Sequence, residues 1–411
     1  MHPKQMITHS RFGSTWRIAG GALIAASLTT SAAADDDFTA ALVGGKTSAD
    51  IRLRYEGVNQ DNALKDAGAT TVRARLGYQT GEFHGFGAVL EAEHLTALGG
   101  EEYNSTTNGK SAYSVIADPA FTEINQAYLS YSGIADTVLK YGRQRLALDN
   151  HRFIGNVGWR QNEQTYDAFT VVNRSLAQTT VTAGYIYNVN RVFSDESPVG
   201  NFSMNSPIFN IKYDGWRAGT LVGYAYLLDF DDQPTNSTRT FGLRFAGGTP
   251  FVGDWKALYT LEYASQSDYR GNPADFDLNY YLAEGGFNTG RFTVKLGYEL
   301  MSGNGSNSFQ TPLATLHAMN GWTDQFLATP PDGLMDAYIS ASKDVAGIKL
   351  SGIYHDFRAD NGNARYGTEW DLVAIKPIGE HYSLGVKFAA YRAKDFSVDT
   401  DKLWLWTEAR F

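Results

Sequence analysis

Residues 49–56 read ADIRLRYE and residues 72–79 read VRARLGYQ. Every second residue is apolar: Ala49, Ile51, Leu53 and Tyr55 in the first stretch, Val72, Ala74, Leu76 and Tyr78 in the second. Between them stand Asp50, Arg52, Arg54 and Glu56, then Arg73, Arg75 and Gln79. Side chains two apart share a face of a strand, so each stretch is a strand with one apolar face and one charged face. The pattern returns at Phe241–Phe245, Trp255–Tyr263, Phe292–Leu300 and Tyr382–Phe388. About eighteen such segments of roughly nine to thirteen residues follow one another, the length with which a tilted strand crosses a bilayer.

The connectors have their own rhythm. Short turns are expected at Thr80-Gly81-Glu82, Ser132-Gly133, Asn173-Arg174-Ser175, Asp214-Gly215, Gly247-Gly248, Asn288-Thr289-Gly290, 344–347 and 377–379. Longer polar loops lie between them, notably 96–120, 147–164, 190–206, 229–237, 266–276 and 302–333. Hairpins that open alternately toward two sides of a membrane produce this alternation. Tyr55, Tyr78, Tyr131, Tyr213, Tyr263, Tyr298 and Tyr382 fall near strand ends, where girdles at the lipid–water boundary place aromatic rings. The last strand alternates through Leu403, Leu405, Thr407 and Ala409 and stops at a terminal Phe411, the form of signal read by the outer-membrane barrel-insertion machinery.

Composition agrees and excludes much else. Among 411 residues there are 24 tyrosines and 42 glycines but no cysteine, so disulfide scaffolds, thiolate metal sites and cysteine nucleophiles are ruled out. No apolar run is long enough for a helical membrane span. Lys4, Arg11 and Arg17, the apolar run Ile18–Leu28 and Ala32-Ala33-Ala34 have the layout of a secretory leader over 1–34, leaving 35–411 as the barrel. Removing it takes away three cations and no acid, so the formal charge moves from −9 to −12. A general nucleic-acid surface is not expected on such a chain. The expectation is an all-β transmembrane antiparallel barrel of eighteen strands in the bacterial outer membrane, both termini periplasmic, with no plug domain.

Two stretches are distinctive: GRQRLALDNHRFIGNVGWRQNEQTYDA at 142–168 and FQTPLATLHAMNGWTDQFLATPPDGLMDAY at 309–338. Both resemble the alginate-export family of outer-membrane channels, through Gly-Arg-Gln-Arg with Trp-Arg-Gln-Asn and Tyr-Asp-Ala, and through Thr-Pro-Leu-Ala-Thr-Leu-His with Gly-Trp-Thr-Asp-Gln-Phe. The resemblance implies an eighteen-stranded channel whose loops 147–164 and 302–333 fold inward. The chain is shorter than the archetypal alginate exporter, and the family name also covers channels for other cargo.

A polyuronate carries one carboxylate per sugar, and a planar guanidinium can pass it from site to site bidentately. Arg52, Arg54, Arg73 and Arg75 form a basic ladder on the polar faces of adjacent strands. The resemblance adds Arg143, Arg145, Arg152 and Arg160 as pore-lining candidates; Asp167 is among the acids placed to orient these cations, and Trp159 and Trp322 offer sugar-stacking faces, because carbohydrate C–H groups lie well on aromatic rings. Strict alternation puts Arg143 with Leu139 and Tyr141, so an inward Arg143 needs a bulge. The competing reading is structural: lumen charges satisfy one another and loop tryptophans anchor loops. Glu91 and Glu93 threaten the ladder in this way. His151 and His317 are read as loop-packing residues, and the acidic groups Asp229-Asp231-Asp232 and Asp268-Asp275-Asp277 as solvated loop charge rather than ion sites near lipopolysaccharide. No cofactor and no metal site is expected, and without a Gly-x-Ser-x-Gly elbow no enzyme. The functional expectation is a passive channel for anionic saccharides such as alginate or uronate oligomers, in export or uptake. The alternative is a porin for small neutral or organic-acid solutes. Expected partners are outer-membrane lipids and lipopolysaccharide, the insertion machinery at Phe411, and the anionic solute itself.

Overall fold

The structure, a computed structural model, describes residues 32–411. Most of the expected leader lies outside the described residues, and a helix α1 (Ala32–Val43) spans the expected cleavage point. Eighteen strands follow: β1 (Lys46–Gln60), β2 (Ala67–Gln79), β3 (Phe86–Ala97), β4 (Phe121–Ile134), β5 (Thr137–Gln144), β6 (Thr165–Asn173), β7 (Thr179–Asn190), β8 (Asn201–Trp216) and β9 (Gly219–Leu228). The second half comprises β10 (Thr238–Val252), β11 (Trp255–Asp268), β12 (Asp277–Asn288), β13 (Phe292–Met301), β14 (Leu334–Val345), β15 (Ile348–Arg358), β16 (Arg365–Ile378), β17 (Tyr382–Ala393) and β18 (Thr400–Arg410).

Each strand pairs antiparallel with its neighbours in sequence, and β1 pairs with both β2 and β18. The sheet therefore closes on itself and leaves no free edge, the one sheet geometry that satisfies its backbone inside hydrocarbon. At the closing seam Arg52 faces Glu408 and Asp50 faces Arg410, while Ala49 and Phe411 exchange backbone hydrogen bonds of 2.9 and 3.0 Å. Leu76, Leu129 and Leu296 are 63%, 62% and 64% exposed on the outer wall, while Arg54, Arg73 and Glu93 on the other face are buried. Apolar area this extensive on the outside belongs against lipid, which places the barrel in the bacterial outer membrane.

The long connectors 61–66, 98–120, 145–164, 191–200, 229–237, 269–276, 302–333, 359–364 and 394–399 share one rim. The short ones share the other rim with the start of β1 and the end of β18. At Ala346-Gly347 both central residues have positive φ, 52° and 73°, which matches the twist of a two-residue hairpin. Three expected turns lie within strands instead. Gly133 is in β4, Gly215 in β8 and Gly247-Gly248 in β10, and the turns follow at 135–136, 217–218 and 253–254. Close neighbours explain the glycines: a Cβ on Gly133 or Gly215 would meet the Tyr131 or Tyr213 ring at 2.5 or 2.3 Å, and one on Gly247 the Ala218 carbonyl oxygen at 2.0 Å as well as the Tyr259 ring at 2.8 Å. These glycines make room for rings lying across the strand rather than for a reversal of the chain. The loop expected over 190–206 ends at 200, because β8 begins at Asn201.

Candidate functional site

Loops 145–164 and 302–333 meet inside the barrel. Gly155 N–H donates to the Leu313 carbonyl at 2.9 Å and Thr315 N–H to the His151 carbonyl at 3.0 Å. The Tyr166 hydroxyl, from the wall, donates to the Gly155 carbonyl at 2.7 Å. The two loops thus form one hydrogen-bonded layer across the lumen.

Two different kinds of wall hold that layer. On one side it is apolar: Leu146, Phe153, Phe309 and Leu313 bury themselves against Tyr224, Tyr226 and Tyr280 of β9 and β12. The Phe153 ring sits 4.9 Å from Tyr224 and 5.6 Å from Tyr280. Burying side chains of this size contributes about 1.5–3 kcal/mol each. On the opposite side, at β1–β3, β17 and β18, the layer is held by ions.

The arginine ladder is part of that ionic wall. Arg52 meets Glu408 at 2.8 Å, and Arg73 meets Asp50 and, at 3.5 Å, Glu408. Arg54 pairs with Asp118 and donates to the Trp159 carbonyl at 2.8 Å. Arg75 pairs with Glu93 and Glu163 and donates to the Gln161 carbonyl at 3.2 Å. Arg145 joins Glu91 to Glu163. Arg160 meets Glu56 at 3.0 Å and Asp324 at 3.3 Å, and Arg152 meets Glu299 at 3.0 Å. Each guanidinium of the ladder therefore has a carboxylate partner; Glu93 is the neutralising neighbour of Arg75, whereas Glu91 pairs with Arg145 outside the ladder. In the loops the electrostatics follow the partners. Burial opposes it, but Glu299 holds the Arg152 pKa above its ordinary value, Glu56 does the same for Arg160, and Arg75 with Arg145 lowers that of Glu163.

Trp159 and Trp322 are occupied from within the protein. The Trp159 ring stacks on His317 at 4.7 Å, and the Lys387 ammonium lies 3.6 Å from the Trp322 ring centroid and 4.1 Å from that of Trp159. Lys387 Nζ is 2.7 Å from His317 Nε2, and His317 Nδ1 is 2.7 Å from Asp324. The ammonium can only donate, so Nε2 accepts and Nδ1 carries the proton toward Asp324. Burial first, and then the Lys387 charge, push the His317 pKa down to about 3, keeping a neutral imidazole at neutral pH.

Arg143 and Asp167 do not join the others. Arg143 pairs with Asp167 at 2.9 Å on the row that runs from Ala127, and shares the outward face of Tyr141, while neighbouring Gln144 turns inward to Thr170. The bulges nearby, at Asn125 of β4 and Tyr187 of β7, do not turn Arg143 into the lumen.

The layer divides the lumen into cavities. Toward the long loops lies one of about 470 Å³, lined by Val58, Val192, Phe193, Leu316 and other apolar groups with Arg160, Arg191 and Lys402. Toward the short turns lies one of about 400 Å³, more polar, with Arg244, Lys295, Glu284, Ser340 and Ser342. Leu316 and His317 face the first and Ala318 and Met319 the second, so a single turn of 3-10 helix, Leu316–Ala318, stands between them. The sequence reading missed Asp324, Lys387, Lys402, Glu163 and Arg191 as site residues. Inward parity marked the two lysines, but nothing local marked the loop residues, whose partners lie far away in the chain.

The alginate export family model matches residues 46–369. A search of curated protein sequences found no significant match. Among solved structures, Pseudomonas aeruginosa OpdK with vanillate aligns with a TM-score of 0.73 at 16% identity, covering 90% of this chain and 99% of that one. Acinetobacter baumannii OccAB4 aligns at 0.71 and 14%, covering 89% and 98%. Pseudomonas aeruginosa OpdL aligns at 0.69 and 17%, covering 90% and 99%. At such identities the likeness is one of fold.

Proposed function

We propose that this chain, which belongs to the alginate export family, is a passive outer-membrane channel that passes small organic anions, single carboxylates no larger than one or two rings, in preference to a polyuronate chain. The observation that carries this reading is the bonded double-loop layer across the lumen, with a cavity of about 470 Å³ on its long-loop side and adjoining cavities of about 400 and 310 Å³ on the other. Cavities of that volume suit a small solute. A polymer needs a continuous path lined by unoccupied cations, whereas the ladder arginines are engaged by carboxylates, and Trp159 and Trp322 by Lys387 and His317. The fold neighbour OpdK, solved with the aromatic acid vanillate, supports the same size and charge of cargo. Uronate oligomers remain the second reading, favoured by the family's description.

Liposome swelling with the purified channel separates the two. Galacturonate and benzoate should enter faster than glucose, and oligouronates of several residues should be excluded. Equal rates for acids and neutral sugars would remove the anion preference, and entry of long oligouronates would restore the polymer reading.

A further inference from the structure

Three strong bases line the long-loop cavity, and two of them are spoken for. Arg160 is paired with Glu56 and Asp324, and Lys402 lies 2.7 Å from Asp324. Arg191, the first residue of loop 191–200, has no carboxylate within ion-pairing distance among the described residues. Its guanidinium carbon lies 4.2 Å from the centroid of Phe202 and 4.7 Å from that of Phe193. One donor reaches the Val199 carbonyl at 2.8 Å, and the loop is closed beneath it by Arg191 N–H donating to the Gly200 carbonyl at 2.7 Å. A guanidinium has five N–H donors in a rigid fork, so most of this one's capacity is unused. Burial without a counter-ion brings its pKa down to about 10, so it stays charged at neutral pH.

We propose that Arg191 is the specificity-determining residue of the long-loop cavity, binding the carboxylate of an anion whose apolar body rests against Val58, Val192, Phe193 and Leu316. This rests on the channel reading above and narrows it from small organic anions to those with a hydrophobic body. Two aromatic faces hold the fork flat and fix its direction, which spares the ligand the cost of ordering a long side chain. A carboxylate arriving there replaces the missing counter-ion with a charge-assisted, bidentate contact. The wall beside it is largely apolar, so a polyhydroxylated sugar acid would lose water from its hydroxyls without gaining partners, whereas an aryl or alkyl acid would not.

The test measures uptake of benzoate, its neutral analogue benzamide, and glucuronate into liposomes holding the full channel. The wild type should saturate with benzoate at lower concentration than with glucuronate, and show no saturation with benzamide. Arg191→Gln should raise the half-saturation concentration for benzoate about tenfold, as expected for loss of one charged contact, and leave uptake of the neutral benzamide unchanged. An unaltered benzoate curve in Arg191→Gln, with anion preference intact, overturns the assignment to Arg191 while sparing the channel reading. Glucuronate saturating below benzoate overturns the hydrophobic body. No acid preference in the wild type overturns the channel reading itself, and this proposal with it. Should Arg191→Gln not reach the folded, heat-modifiable form, Arg191→Lys carries the test, because it keeps the charge and loses the fork: an unchanged benzoate curve there is equally fatal.

Discussion

Glu163 shows what single residues do here. Its carboxylate meets Arg75 at 3.3 Å, Asn125 at 2.7 Å and Asn156 at 2.9 Å, and also pairs with Arg145. It therefore joins β2, β4 and the first inward loop at one point. Removing one partner of a buried ion pair costs about 3–5 kcal/mol, because the charge left behind has neither water nor a counter-ion. Glu163→Gln should accordingly free the loop, and trypsin should then cut at Arg152 or Arg160, both buried in the wild type. Continued resistance would mean that Arg54 and Arg160 anchor the loop without it. His317 gives a pH dependence of definite sign. Its folded pKa, about 3, lies below the ordinary value of 6.5, so the unfolded loop binds the proton more tightly. The contribution of His317 to loop stability is complete above about pH 6.5 and declines as pH falls toward 3. Conductance noise should rise between pH 6.5 and 4, and His317→Gln should flatten that rise. A slope equal in both proteins would place the titration elsewhere. The inward parity of the ladder was legible in the alternation ADIRLRYE, but its pairing was not. Asp118 and Glu163 come from loops that no periodicity places, and Glu408 stands 356 residues from Arg52.

At the level of elements, strands were the most legible part, because a period of two survives wherever one face meets lipid. Turns were legible where glycine reverses the chain, as at Asn288-Thr289-Gly290, and misplaced where glycine makes room for a tyrosine ring, as at Gly215 beneath Tyr213. The six-residue connectors 359–364 and 394–399 on the long-loop rim were not anticipated, although Asn361-Gly362, with Gly362 at φ 98°, marks the first of them. The two inward loops were legible from an excess of Trp, Leu and Phe too great for solvated segments; the Leu and Phe residues form the apolar half of the layer, while Trp159 and Trp322 lie against Lys387 on the ionic side. Because the layer is made jointly, deleting 147–164 or 302–333 should raise single-channel conductance severalfold, since barrels of about 16–18 strands enclose an aqueous channel when nothing fills them. Planar-bilayer recording checks this, and two deletions that both conduct like the wild type would deny the loops any narrowing role. Phe153→Ala tests the apolar half alone. A large-to-small change of this kind costs about 3–5 kcal/mol, and it should increase current fluctuation without changing ion selectivity.

For the whole molecule the telling quantity is where the charge points. The formal charge of the chain is −9, yet the ladder side of the lumen is compensated nearly group by group. Selectivity then depends on the few charges left without a partner, and it can be inverted by creating new ones. Arg73→Ala with Arg75→Ala removes the ion-pair partner of Glu93 and one of the two partners of Asp50, which keeps Arg410, whereas Glu408 keeps Arg52 and Glu163 keeps Arg145. One loop anchor, Arg75 with Glu163 and the Gln161 carbonyl, is lost while Arg54, Arg145 and Arg160 keep theirs, so the barrel should still fold, but the charge of Glu93 and part of that of Asp50 now act on the lumen. At about 6–7 Å and an effective dielectric near 20, each unit charge acts on a passing ion with roughly 2–3 kcal/mol. Physiological salt, with a Debye length of about 8 Å, trims that without abolishing it. The reversal potential in a KCl gradient should therefore move toward cation preference. A buried carboxylate has one other response to losing its partner, which is to take up a proton and become neutral. The measurement is accordingly made at pH 6 and again at pH 9, where such a proton is lost. A double variant that keeps the wild-type reversal potential at both pH values would show that the ladder lies off the ion path, sealed behind the first inward loop. The cations left to set anion preference would then be those that, like Arg191 in the long-loop cavity, have no carboxylate partner among the described residues.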